Sequence, residues 1–166
     1  NFINAIKQKE FFLTANLEDF SADYYKLKDI LPNLLGKSLP TEFEKLGRFT
    51  LSGFTKVTPN AIEATVDIES EIGDIITDLE LTDFASIDDA TYVGEVELVN
   101  FDLGTFFNNP LFGDISFSGE VDGKGFRIEN ISTQLIGKVS QIEFNNYKYQ
   151  NITVNGLYEN NLFDGK

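Results

Sequence analysis

"GKVSQIEFNNYKYQNITVNGLYENNLFDGK" (Gly137–Lys166) decides the fold. Ile142 and Phe144 alternate with Gln141 and Glu143, and Asn145-Asn146 then leads to Tyr147 and Tyr149. Alternation at period two marks a half-buried strand. A two-residue Asn-Asn link suits a tight hairpin, because Asn tolerates positive φ. Ile152, Val154, Gly156 and Tyr158 continue the return strand, and Asn160-Asn161 turns into a new one at "LFDG". An orphan strand has nothing to pair with. The stretch therefore reads as a slice of a longer β structure, and an initial Asn in place of Met fits the same expectation.

Working back from Gly137, "DISFSGEVDGKGF" puts Ile115, Phe117, Gly119 and Val121 on one face and Ser116, Ser118, Glu120 and Asp122 on the other. "FRIENISTQLIGKVSQIEF" continues with Phe126 and Ile128. The parity then changes at Glu129–Asn130, and Ile131, Thr133, Leu135, Gly137 and Val139 take over. A second change falls at Ser140–Gln141, before Ile142 and Phe144. Parity changes inside a strand-like run predict β-bulges or kinks. Val139 is expected inside and Lys138 outside.

The middle of the chain repeats the pattern. Ile62, Ala64, Val66 and Ile68 share a face after a turn at "TPN"; Ile75, Thr77, Leu79 and Leu81 follow, then Tyr92, Gly94, Val96 and Leu98. "LGTFFNNP" (Leu103–Pro110) is expected to form one helical turn ended by Asn-Asn-Pro. Strands of about 5–8 residues are predicted. Near the start, Phe11–Thr14 reads as a short strand. Tyr24, Leu27, Ile30, Leu31 and Leu34 recur at helical spacing, with Asp19 or Ser21 as cap, Pro32 as a kink and Gly36 as terminator. Thr41 with Glu44, closed by Gly47, has the capping-box pattern of a second short helix. The expected fold is mostly β: an antiparallel meander with one amphipathic helix near the N-terminus. Residues 1–166 form one β-rich unit, with 19–47 as a helical insertion or cap.

Composition narrows the chemistry. The chain of 166 residues is 42% hydrophobic, enough to bury a core, and has 16 Phe, 6 Tyr and no Trp. Cys and His are both absent, which removes disulfides, thiolate metal sites, Cys nucleophiles and the commonest general base. A net charge of −14 disfavours nucleic acid and anionic membrane surfaces as partners. The same charge keeps a β-rich surface soluble and blunts edge pairing. No apolar run reaches a membrane span, and "NFINAIKQKE" has no signal-peptide pattern.

Individual motifs add little. "GKS" (Gly36–Ser38) lacks the upstream glycine of a phosphate loop and a preceding parallel β-α unit. Ser-Lys catalysis needs a desolvated pocket that nothing indicates. Asp88-Asp89 reads as a turn, and Glu69 with Glu71 as a solvated strand face. "DGKG" (Asp122–Gly125) lacks the other oxygen ligands of a calcium loop. "NIS" at Asn130 and "NIT" at Asn151 match the glycan acceptor, a match that matters only in a eukaryotic secretory protein. No enzyme, metal or cofactor is expected.

What remains is the apolar face, and the residues "FDLGTFFNNP", "SFSGEVDGKGF" and "IEFNNYKYQNITVNGLY" followed by "LFDG". Together they resemble the repeating pattern of the TamB-like branch of the AsmA family in its Bacteroidetes form. "LEDFSADYYKLKDILPNLLG" resembles the amphipathic helical segment that interrupts the sheet there. The resemblance runs from about Leu17 onward and is densest over Asn100–Lys166. It implies a curved half-pipe of stacked hairpins with an apolar concave face (β-taco-like), within a long periplasmic protein anchored in the inner membrane. It implies a conduit for lipids between inner and outer membranes, or a scaffold for outer-membrane protein assembly. The implied partners are lipid acyl chains and an outer-membrane β-barrel assembly protein. Gly94, Gly119, Gly137 and Gly156 would then ease curvature. The expected groove residues are Ile115, Phe117, Val121, Ile128, Leu135, Val139, Ile142, Phe144, Tyr149, Ile152 and Val154. The competing expectation is a closed β-sandwich that binds carbohydrate or protein through its loops, although such modules favour exposed Trp. Periodicity cannot separate groove from sandwich, since both need the same inward side chains.

Overall fold

The computed structural model describes residues 13–30, 41–84, 86, 88–127, 129–160 and 162–166. Strand β1 (Leu13–Ala22) is followed by α1 (Tyr24–Ile30) and a 3-10 helix (Thr41–Leu46). Then come β2 (Phe49–Val57), β3 (Ala61–Ser70) and β4 (Gly73–Thr82). Strand β5 (Thr91–Asp102) leads through α2 (Leu103–Phe107) into β6 (Phe112–Lys124), β7 (Ser132–Phe144), β8 (Tyr147–Glu159) and β9 (Leu162–Gly165). The nine strands form one antiparallel meander in chain order. Among the described residues β1 and β9 are its two edges, and the sheet is not closed into a barrel.

The strands are longer than the alternation suggested. β2 has 9 residues and β6, β7 and β8 have 13 each. In β6 and β7 bulges carry the pairing past the places where strict alternation lapses, whereas β2, β3 and β4 pair with one another without a shift. Strand β1 does not stop near Thr14. It passes a bulge between Leu17 and Phe20 and stays paired with β2 as far as Ala22. Asp19 and Ser21 therefore lie in a strand, and neither caps α1. Asp23 does, accepting a hydrogen bond from the Lys26 N–H (2.8 Å). The expected helix positions Leu31, Pro32, Leu34 and Gly36, and Phe11 of the expected first strand, lie outside the described residues.

Of the two parity changes in the last third, one is a bulge and one is not. Ser116 pairs with Gln141 and Phe117 with Val139, which leaves Ser140 as the extra residue of β7. The change at Glu129–Asn130 marks the connection between β6 and β7. Gly125 turns there with φ +78°, and Asn130 Oδ1 accepts from the Arg127 N–H (3.2 Å). Asn145 and Asn146 form the expected hairpin turn with φ 51° and 63°. Helix α2 sits at "LGTFF", with Asp102 capping its start (Oδ1 to the Thr105 N–H, 2.8 Å) and Asn108 ending it at φ 51°.

Two bulges share one construction. In Leu17-Glu18-Asp19-Phe20 and Leu98-Val99-Asn100-Phe101, the third residue has φ 49° or 48°. The Asp19 N–H donates to Ser52 Oγ (3.3 Å), and Ser52 Oγ donates back to Asp19 Oδ1 (3.2 Å). Asn100 and Ser116 repeat this at 3.0 and 3.4 Å. In both cases the strand then runs into an Asp-capped short helix, and a return strand carries the serine. The pairs β1–β2 and β5–β6 thus share one bulge, built the same way.

Candidate functional site: one uncharged sheet face

Register places the side chains. Across an antiparallel ladder, opposed residues share a face. One row runs Phe20–Leu51–Ile68–Ile75–Leu98–Phe117–Val139–Ile152 from β1 to β8. The next runs Leu17–Gly53–Val66–Thr77–Val96–Gly119–Gly137–Val154. A third joins Ala64, Leu79, Gly94, Val121, Leu135 and Gly156. None of these positions holds Asp, Glu, Lys or Arg. The opposite face carries Glu63, Asp67, Asp78, Glu80, Glu95, Glu97, Glu120 and Asp122, where much of the negative charge sits. Alternation in burial follows the same division, with Glu63, Thr65, Asp67 and Glu69 exposed between less exposed neighbours on β3.

All but one of the expected groove residues fall on the Phe117 face, and Ile128 lies outside the described residues. Ile115, Phe117, Val121 and Val139 are buried. Leu135, Ile142 and Val154 are half-buried. Phe144, Tyr149 and Ile152 are exposed. Val139 and its partner Ile152 differ sharply, at 6% and 37% exposure. Ile115 and Ile142 oppose each other, Tyr149 continues that row, and Phe144 faces Phe112 with ring centroids 5.1 Å apart.

At one end of the strands, helices cover this face. Leu46 of the 3-10 helix is 1% exposed and clusters with Ala22, Phe49, Phe101, Ile115, Phe117 and Val139. Leu27 of α1, Phe43 of the 3-10 helix, and Leu103 and Phe106 of α2 pack against the cluster. Lys45 Nζ donates to the Phe106 carbonyl (3.1 Å), tying the 3-10 helix to α2. Tyr25 donates its hydroxyl to Glu44 (2.6 Å), tying α1 to the same helix.

Toward the other end the face becomes smoother and carries hydroxyls. Gly119 and Gly137 oppose each other so closely that a Cβ on Gly137 would lie 2.7 Å from Gly119 Cα. The Phe117 ring lies over both. An aromatic ring laid over strand glycines restores packing that glycine alone forfeits. Tyr92 and Thr133 hydrogen-bond through their hydroxyls, and Phe126 packs on the Tyr92 ring at 4.9 Å. Burial pushes the Tyr92 hydroxyl above the ordinary tyrosine range, with the Thr133 bond opposing. Thr77 Oγ1 donates to the Val66 carbonyl (3.0 Å), so its hydroxyl is already occupied.

The earlier strands extend the expected set, which named residues of the last third only. Val66, Tyr92 and Phe101 belong to the same face and are as buried as Val121. Their alternation is visible in the sequence, but the rows that join them to Phe117 depend on pairing across several hairpins. Among the described residues no group of three or more acidic, His or Cys side chains could hold a metal ion, and no helix is long and apolar enough to cross a membrane.

No family model matches the chain, and no curated protein or solved structure does.

Proposed function

We propose that the Phe117 face is the concave lining of an open half-pipe that holds the acyl chains of lipids, in a non-enzymatic periplasmic conduit of the TamB-like kind. The single observation that carries this is the uncharged face, continuous in register from β1 to β8, whose exposure rises at Ile152 and Tyr149. Further support comes from the single layer: among the described residues there is one sheet, with no second sheet laid over it as a sandwich would require. Bulges and glycine pairs bend a sheet, and both recur along this one.

The physical task is simple. A lipid crossing water exposes its chains at a cost of about 0.8 kcal/mol per CH₂. An uncharged wall removes much of that cost with no chemistry, and an even wall lets the cargo slide. The lipids would pass between the inner and outer membranes, with the parent protein anchored in the inner one. An outer-membrane β-barrel assembly protein is the proposed second partner, engaged through the strand edges.

Photo-crosslinking residues at Ile152 and at Thr153, on opposite faces, test this in Gram-negative cells. Lipid adducts at Ile152 and none at Thr153 are expected. Absence of lipid at Ile152 overturns the conduit, and protein adducts at Thr153 alone would replace it with the assembly scaffold.

A further inference from the structure

Strands β5 and β7 each hold one more residue than β6 at the same level. In β5, Val99 and Asn100 stand opposite Ser116 alone; in β7, Ser140 is left over between the partners of Ser116 and Phe117. A bulge bends the strand that carries it. Two bulges on one line, either side of β6, bend three adjacent strands at one place. A further irregularity in β6, between Phe112 and Ile115, lies just beyond that line.

Side chains tie the line together on the outer face. Asn100 Oδ1 accepts from Ser116 Oγ (3.4 Å) and from Gln141 Nε2 (3.0 Å). Ser116 Oγ accepts from the Asn100 N–H (3.0 Å), and Ser140 Oγ donates to the Ser116 carbonyl (3.2 Å). Gln141 thereby reaches over β6 to β5, across backbones about 10 Å apart at the usual strand spacing. The Asp19–Ser52 bulge, by contrast, joins neighbouring strands, and β2, β3 and β4 pair beside it without a shift.

On the inner face the same line runs between two sets of apolar residues. Leu98, Phe117 and Val139 lie on one side of it, and Phe101, Ile115 and Ile142 on the other. Both sets meet in the cluster that holds Leu46. We infer that Asn100, Ser116 and Gln141 form a clasp that creases the sheet across β5, β6 and β7 and turns the Phe101–Ile115–Ile142 strip inward, as a side wall to the uncharged face. Gln141 is the positioning residue, because it fixes the β7 bulge level with that of β5. The crease stands on register and hydrogen bonds; that its wall faces acyl chains rests on the conduit proposed above.

The absence of cysteine from the chain makes labelling direct. Spin labels at Asp114→Cys and Glu120→Cys occupy exposed positions of β6 on either side of the crease. A straight strand would hold these positions about 20 Å apart, at about 3.3 Å per residue. Labels on the outside of a bend splay, so pulsed dipolar spectroscopy should give a longer and narrow distance. Gln141→Glu keeps the side-chain shape but loses the donor; it should shift the distance toward the straight-strand value and broaden it. Ser116→Ala should do the same. Asn100→Asp keeps the accepting oxygen in a left-handed position that Asp19 also adopts, and should leave the distance unchanged. So should Ser52→Ala, which removes the matching oxygen at the other bulge. Unchanged distances in both Gln141→Glu and Ser116→Ala overturn the clasp, as does an equal shift from Ser52→Ala. No lipid enters this experiment, so its failure is distinct from a failure of the Ile152 crosslinking, which tells against the conduit alone.

Discussion

Strands β7 and β8 carry the same sequence pattern and lie side by side, yet they live in different surroundings. Val139 is buried against Phe117 and the helical end, whereas Ile152, its register partner, is 37% exposed. β7 has a neighbour on each side. Among the described residues, β9 lies on the outer side of β8 and pairs with Gly156–Glu159. Alternation says which face a residue takes. Burial depends on what stands beside and above it, and that is set by strands and helices distant in sequence.

Charge on that face breaks the comparison most severely. Val139→Asp should cost more than about 4 kcal/mol, because a carboxylate there has no partner and no water. Ile152→Asp should cost less than about 1 kcal/mol. Urea midpoints measured on both variants give the difference directly, and equal losses would mean that β8 is covered.

Truncation gives a smaller contrast. Phe117→Ala removes the ring that covers Gly119 and Gly137 and should cost about 3–4 kcal/mol by thermal or urea unfolding. Tyr149→Ala, at a position 46% exposed, should cost under about 1 kcal/mol.

The two bulges sharpen the picture at the next level. Ser52→Ala and Ser116→Ala each remove one oxygen that both accepts and donates, and each should lose about 1 kcal/mol. Similar losses would support the equivalence of the two bulges. A loss at Ser116 alone would restrict the device to the second.

Acid adds a small, local effect. Hydrogen bonds from the Thr105 hydroxyl and N–H hold the Asp102 carboxyl below its ordinary value of 3.8. Its contribution is therefore complete above that value and is lost as pH falls through the lower, folded pKa. Because Asp102 is largely solvated, the slope of stability below pH 3.8 should differ only slightly between the native chain and Asp102→Asn. Smallest of all is Glu95→Gln on the opposite face. Glu95 stands between Asp78 and Glu120 in register, and relieving that repulsion should stabilise by a few tenths of a kcal/mol, less in high salt.

Much of the meander was legible in the residues. The Asn145-Asn146 turn, the face containing Ile62 to Ile68, α2 at "LGTFF" and the extra residue at Ser140 all follow from period and turn chemistry. The failures are informative. Asp19 looks like a helix cap because Asp is common there, but here it sits in a left-handed bulge locked by Ser52, far away in sequence. The Glu129–Asn130 parity change looks like a bulge because period alone cannot tell an extra residue from a short turn. The shared bulge of β1 and β5 was hidden because its signature is only a Leu, an Asx and a Phe, with a serine supplied by the next strand.

The sequence by itself determined that the chain is β-rich, that one face of each central strand is free of charge, and where the tight turns fall. These are local matters of side-chain period and backbone preference. Only the tertiary structure decided that those faces join into rows from β1 to β8 and that Leu46 and Phe106 cover one end. The reason is physical: register, covering and exposure arise from pairing between segments many residues apart, and no local pattern encodes which partner will stand there.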